Sequence, residues 1–141
     1  MRLSRAASVA LALLTALMLA ACGASAKQTA ALIEAPAVGD LYAAELSAFS
    51  EHVFHDMEAQ PIDPAYGLLK VIVADAEGVV VITENAASPS RDRPRADLDS
   101  NMVGIAFETS ERIRISRRHL QQAHADGLIY AARRPQPVPG G

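Results

Sequence analysis

"YGLLKVIVADAEGVVVITE", residues 66 to 84, places two runs rich in β-branched residues, 68–74 and 79–83, on either side of "DAEG". Asp75 and Gly78 suit a tight reversal, since aspartate accepts hydrogen bonds from the backbone ahead of it and glycine tolerates unusual dihedrals. The stretch therefore predicts an antiparallel hairpin. Its arms are almost continuously apolar instead of alternating, as expected of strands covered on both faces. The hairpin is thus expected at the centre of a sheet.

Working outward, "VGDLYAAEL" from Val38 has a turn pair, Gly39-Asp40, ahead of Leu41, Tyr42 and Leu46, and reads as a first strand. Downstream, "SPSRDRPRADLDSNM", residues 88 to 102, carries two prolines and six charges and reads as an exposed loop with a turn of helix at its end. "GIAFE" at Gly104 and "ERIRIS" at Glu111 resume the strand pattern. In the latter, Ile113 and Ile115 alternate with Arg112 and Arg114, the period of a half-buried strand. Ser116 is placed to cap a short helix, "RRHLQQAHAD", that ends before Gly127. "LIYAARR" is a last strand. The fold class is mainly β, of the α+β kind: a small SH3-like barrel or a curved antiparallel sheet with one short C-terminal helix, over residues 38 to 134.

The flanks differ in composition. "PQPVPGG", residues 135 to 141, has the Pro and Gly content of a disordered tail. Residues 22 to 37 are small and Ala-rich without an evident amphipathic period, and read as a flexible tether. Before them, Arg2 and Arg5 precede "AASVALALLTALMLAA", residues 6 to 21, which is free of charge. A basic start, an apolar run and small residues make a signal peptide over residues 1 to 21. A spanning helix, needing about 20 apolar residues, is the poorer reading.

The end of that run, Leu19-Ala20-Ala21-Cys22, resembles the lipobox of bacterial lipoproteins. The resemblance implies that Cys22, the single cysteine of the chain, receives a diacylglyceryl group and becomes the mature N-terminus. It implies anchoring to a lipid bilayer through the acylated cysteine. Gly23, where an aspartate would favour retention in the inner membrane, implies the outer membrane, facing the periplasm. A disulfide within the chain is excluded by the cysteine count. The domain is also similar to small envelope lipoproteins of Gram-negative bacteria to which no activity is attached, through the "YGLLKV" hairpin and the Ser-capped helix.

The 141 residues carry a formal net charge of −3, so no overall basic field invites nucleic acid. The charge is unevenly placed. Residues 22–88 hold two lysines and ten acids, residues 89–141 nine arginines and six acids. Arg91, Arg93 and Arg95 in the "RDRPR" loop are the candidates for partner binding, against the plainer reading of a solvated insertion in which removing Arg91 is nearly silent.

Chemistry concentrates in "EHVFHDMEAQPIDP", residues 51 to 64. In a helical turn His52, His55 and Asp56 would share a face and form a partial metal set, yet structural or catalytic zinc takes three or four protein ligands. The plainer reading is a polar loop with two exposed histidines. His119 and His124, five apart, do not meet on a helix. No elbow such as GxSxG presents Ser110 or Ser116 as a nucleophile, and no phosphate-binding glycine motif is present. With three Tyr, three Phe and no Trp, aromatic platforms are sparse. The chain therefore reads as a non-enzymatic, cofactor-free, lipid-anchored envelope protein whose domain meets a protein partner or the cell wall. The alternative is a metal-binding or hydrolytic periplasmic protein using residues 51–64.

Overall fold

The hairpin of residues 66–84 is the centre of the sheet. A computed structural model describes residues 25–136; the signal peptide, Cys22 and most of the Pro/Gly tail lie outside the described residues. The elements are a helix over 25–34 (α1), strands β1 (Leu41–Glu45), β2 (Phe54–His55), β3 (Pro61–Ile62), β4 (Tyr66–Ala74) and β5 (Gly78–Glu84), helix α2 (Asp92–Leu98), strand β6 (Phe107–Ser116), helix α3 (Arg117–Ala125) and strand β7 (Ile129–Arg133). Five strands form one antiparallel sheet in the order β6-β5-β4-β1-β7, while β2 and β3 pair separately.

The turn chemistry is what the sequence asks for. Asp75 Oδ1 accepts hydrogen bonds from the backbone N–H groups of Glu77 and Gly78, at 2.9 and 3.1 Å, and these bonds hold its carboxyl below the usual range. Gly78 is required for space: a Cβ there would overlap the Ile115 carbonyl of the neighbouring strand. The register places Val71 against Val81 and Leu69 against Thr83.

Side chains divide between two apolar layers. On one face Tyr42, Leu69, Val71, Val79, Val81 and Ile115 pack with Leu32 and Ile33 of α1, Leu120 and Ala123 of α3, and Phe54 and Ile62 of the small hairpin. On the other, Leu41, Ala43 and Leu68 meet Leu98 of α2, with Met102, Ile105 and Phe107 beside them. Strands β1 and β4 are thus covered on both sides, which accounts for their near-continuous apolar character.

Of the two architectures the sequence allows, the structure has the sheet that stays open: β6 and β7 end the strand order without pairing to each other. Each edge is managed separately. Thr29 Oγ1 of α1 accepts the backbone N–H of Ala132 in β7 at 3.2 Å, so the helix occupies the hydrogen-bonding edge of that strand. Along β6, Arg112 and Arg114 remain exposed, and such charges discourage pairing with another chain.

Two expectations need correction. The tether over residues 22–37 is not flexible across its length, because 25–34 is helical and buries Thr29, Leu32 and Ile33. Those three positions follow the i, i+3, i+4 spacing of one helix face, hidden in an Ala-rich background. The loop over 88–102 contains α2 at its middle, with Pro94 and Leu98 buried. The strand expected ahead of the terminal helix runs over Phe107–Ser116, taking in the end of "GIAFE" and all of "ERIRIS". No helix among the described residues is long and apolar enough to cross a membrane.

Candidate functional site

The segment 51–64 has the form of the plainer reading, a polar loop with His52 and His55 exposed, pinned by the short β2–β3 pairing, and not the helical turn that a metal set would need. Phe54 points into the core and His55 points out, so His52, His55 and Asp56 do not converge as one helical face would bring them. Asp56 serves the turn: its Oδ1 accepts the backbone N–H groups of Glu58 and Gln60 at 2.9 and 2.8 Å. His52 turns instead to β6, with Nε2 3.9 Å from Glu111 Oε2. Glu111 is held there by the Ser50 hydroxyl and by the Glu51 N–H at 3.1 Å. Among the described residues no group of three or more His, Cys, Asp or Glu side chains is arranged to hold a metal ion.

A cleft of about 320 Å³ opens beside this segment, with His52, Phe54, His55, Glu84, Asn85 and Glu108 in its lining. Its two carboxylates differ. Glu84 is 6% exposed, and burial pushes its carboxyl up against the opposing effect of the Leu68 N–H, which its Oε2 accepts at 2.9 Å; Asp97 raises it further and Arg93 lowers it. Glu108 is held low, chiefly by the Ser110 hydroxyl and N–H, with His52 acting in the same sense. The cleft thus holds two carboxyls whose surroundings push them in opposite directions.

The arginines of residues 91–95 have partners. The Arg91 guanidinium lies 4.5 Å from the centre of the Tyr130 ring and 5.8 Å from that of Tyr66, and Arg95 lies 5.3 Å from Tyr130. The two tyrosines meet edge to face, with centroids 6.3 Å apart. Tyr130 donates its hydroxyl to the Arg91 carbonyl at 2.8 Å, and Arg91 Nη2 donates to the Gly127 carbonyl at 3.2 Å. Burial pushes the Tyr130 phenol up to about 12, although both arginines act to lower it. Arg91 and Arg95 are therefore oriented by a β7 side chain, unlike the freely solvated loop of the plainer reading. Arg93 is exposed on the same helix.

A second hollow, of about 250 Å³, lies where α1 begins, between Ser25, Gln28, Arg95, Asp99 and Arg133. Arg133 is fixed by donating to the carbonyls of Leu98 and Ser100. The sequence reading missed Tyr130, Glu84 and Arg133 because each sits inside a predicted strand, where period alone does not say which side chain meets a helix returning from elsewhere.

Compared with family models, curated proteins and solved structures, the chain matches none. The fold and site define the class as an α+β protein built on an open five-stranded antiparallel sheet, with α2 on one face and α1 and α3 serving the other.

Proposed function

We propose that this chain is a lipid-anchored protein of the bacterial envelope, held by acyl chains on Cys22 at the periplasmic face of the outer membrane, whose folded domain is a non-catalytic interaction module. The observation that carries the reading is the sequence Leu19-Ala20-Ala21-Cys22 closing a charge-free run behind Arg2 and Arg5. A diacylglyceryl group supplies the two chains that stable anchoring takes. The separation of His52, His55 and Asp56 supports an interaction role over a metal-dependent one.

Mass spectrometry of the protein isolated from envelopes tests this directly. The expected mature N-terminus is Cys22 carrying acyl chains, and Cys22→Ala should leave an uncleaved precursor. An unmodified thiol with cleavage elsewhere overturns the reading.

A further inference from the structure

We infer that the face made by the start of α1, by α2 and by the end of β7 lies on anionic phospholipid headgroups of the membrane that holds Cys22. The inference rests on the lipid-anchor reading and adds to it an orientation and a lipid chemistry.

Covalent geometry supplies the first constraint. Ser25 already belongs to α1, and α1 is built into the core through Leu32 and Ile33. Three residue steps separate Cys22 from Ser25. At about 3.3–3.6 Å per step the chain spans no more than about 11 Å whatever its conformation. An acylated Cys22 therefore holds the start of α1 within roughly a Debye length of the lipid surface, about 8 to 10 Å at physiological salt. The domain cannot swing freely on a long leash, and the surface around Ser25 is the one brought to the bilayer.

That surface has the chemistry for the contact. Arg95 and Arg133 line the hollow at Ser25, and Arg91 shares the Tyr130 ring with Arg95. Asp99 lies in the hollow too, and Asp92 is one turn from Arg95 on α2, so three arginines, Arg91, Arg95 and Arg133, face two acids there. An arginine close to an anionic membrane is drawn to its headgroups, and the attraction fades within a Debye length. The stacking on Tyr130 and the bonds to the Leu98 and Ser100 carbonyls hold Arg91, Arg95 and Arg133 in place, so less side-chain freedom is lost on docking. Three residues beyond Ser100, Val103 is 81% exposed, next to half-buried Met102 and near Ile105. An apolar side chain protruding beside fixed arginines suits the boundary between headgroups and acyl chains.

The test uses the full acylated chain reconstituted in phosphatidylethanolamine vesicles with or without phosphatidylglycerol. The chain has no tryptophan, so a single indole reports cleanly. Two variants are made: Val103→Trp, and Met57→Trp at a position 99% exposed on the β2–β3 turn. With phosphatidylglycerol present, lipid brominated near the headgroup should quench the reporter at 103 at least severalfold more than the one at 57. The difference should fall when phosphatidylglycerol is omitted or salt is raised, and when Arg95→Ser and Arg133→Ser are combined. Because lipid and salt are varied on an otherwise intact protein, the result does not depend on how the arginine variant folds. Equal quenching at both positions, or a difference indifferent to lipid charge, overturns the docking while the anchor stands, provided that mass spectrometry shows acylated Cys22. An unmodified Cys22 overturns both.

Discussion

Arg134 holds the carboxylate of Asp40 with two hydrogen bonds, Nε to Oδ1 at 2.7 Å and Nη2 to Oδ2 at 3.0 Å. Asp40 is fully buried at the start of β1 and also accepts the Ala37 N–H at 2.9 Å. The same Nη2 donates to the carbonyl of Ala35, just past α1, at 2.9 Å. One side chain near the end of the domain thus ties α1 to the sheet. Arg117 does the same from α3, donating to the Glu34 carbonyl at 3.1 Å and to the Asp75 carbonyl at 2.9 Å.

Arg134→Ala leaves a buried carboxylate without its cation. Losing one partner of an enclosed pair costs about 3–5 kcal/mol. Here the arginine side chain is 43% exposed, so water reaches the vacated place and the expected loss is about 2 to 3 kcal/mol, below the range for a fully enclosed pair. Arg134→Lys should recover part of it, since an ammonium keeps the charge but not the two-pronged fit. Urea unfolding followed by circular dichroism measures both, and an unchanged midpoint for the alanine variant rules out the pair as a tie.

A chain beginning at Val38 lacks α1 altogether. It loses Leu32 and Ile33 from the core, at about 1.5 to 3 kcal/mol for each buried aliphatic side chain, and it exposes the β7 edge that Thr29 covers. The expected outcome is a lower melting temperature together with self-association on size-exclusion chromatography, compared with a chain beginning at Gly23. If the two chains melt alike and stay monomeric, α1 is dispensable to the core.

The hairpin was legible because turn chemistry and β-branched runs agree at Asp75 and Gly78. The cap of α3 was legible for a similar local reason: Ser116 Oγ accepts the His119 N–H at 3.2 Å, and Gly127 takes a positive φ of 76° just beyond the helix. Helix α1 was hidden because alanine fits a helix as well as a linker, leaving Thr29, Leu32 and Ile33 as the whole signal. In 51–64, Asp56 looked like a ligand because carboxylates that close turns and carboxylates that bind metals read identically in sequence. The pairing of Arg91 and Arg95 with Tyr130 joins residues more than thirty positions apart, which no local pattern encodes.

That pairing reverses one expectation. Arg91→Ala, nearly silent for a solvated loop, should lower stability by about 1 kcal/mol, through lost stacking on Tyr130 and Tyr66. The phenol of Tyr130 supplies a second readout. Its folded value of about 12 lies above the ordinary 10, so the folded state holds this proton more tightly than the unfolded one. The resulting stability is fully present below pH 10 and is lost as pH rises from 10 through 12. Tyr42, raised mainly by burial and then by Asp40, contributes in the same sense, so the Tyr130 share is the difference between the native chain and Tyr130→Phe. An identical alkaline stability profile for the two would show that this phenol is not shielded.

Glu84 gives the opposite lesson, a carboxyl whose ionised form is a burden. Burial raises it above the usual glutamate range, so between that range and the folded value the native state binds more protons than the unfolded state. Stability therefore falls as pH rises through this window, and the cost is complete above the folded value. Glu84→Gln keeps an oxygen able to accept the Leu68 N–H and removes the charge facing Asp97. It should raise the melting temperature at pH 8 by a few degrees and make no difference near pH 4, where the native carboxyl is already protonated. Gly67 limits the alternatives: a Cβ there would lie 3.2 Å from Glu84 Oε2 and would press on Leu46, so the glutamate cannot be relieved by filling the space beside it. A glutamine variant less stable than the native chain at pH 8 would mean that the Arg93 charge outweighs burial, and that the carboxylate is held there by attraction.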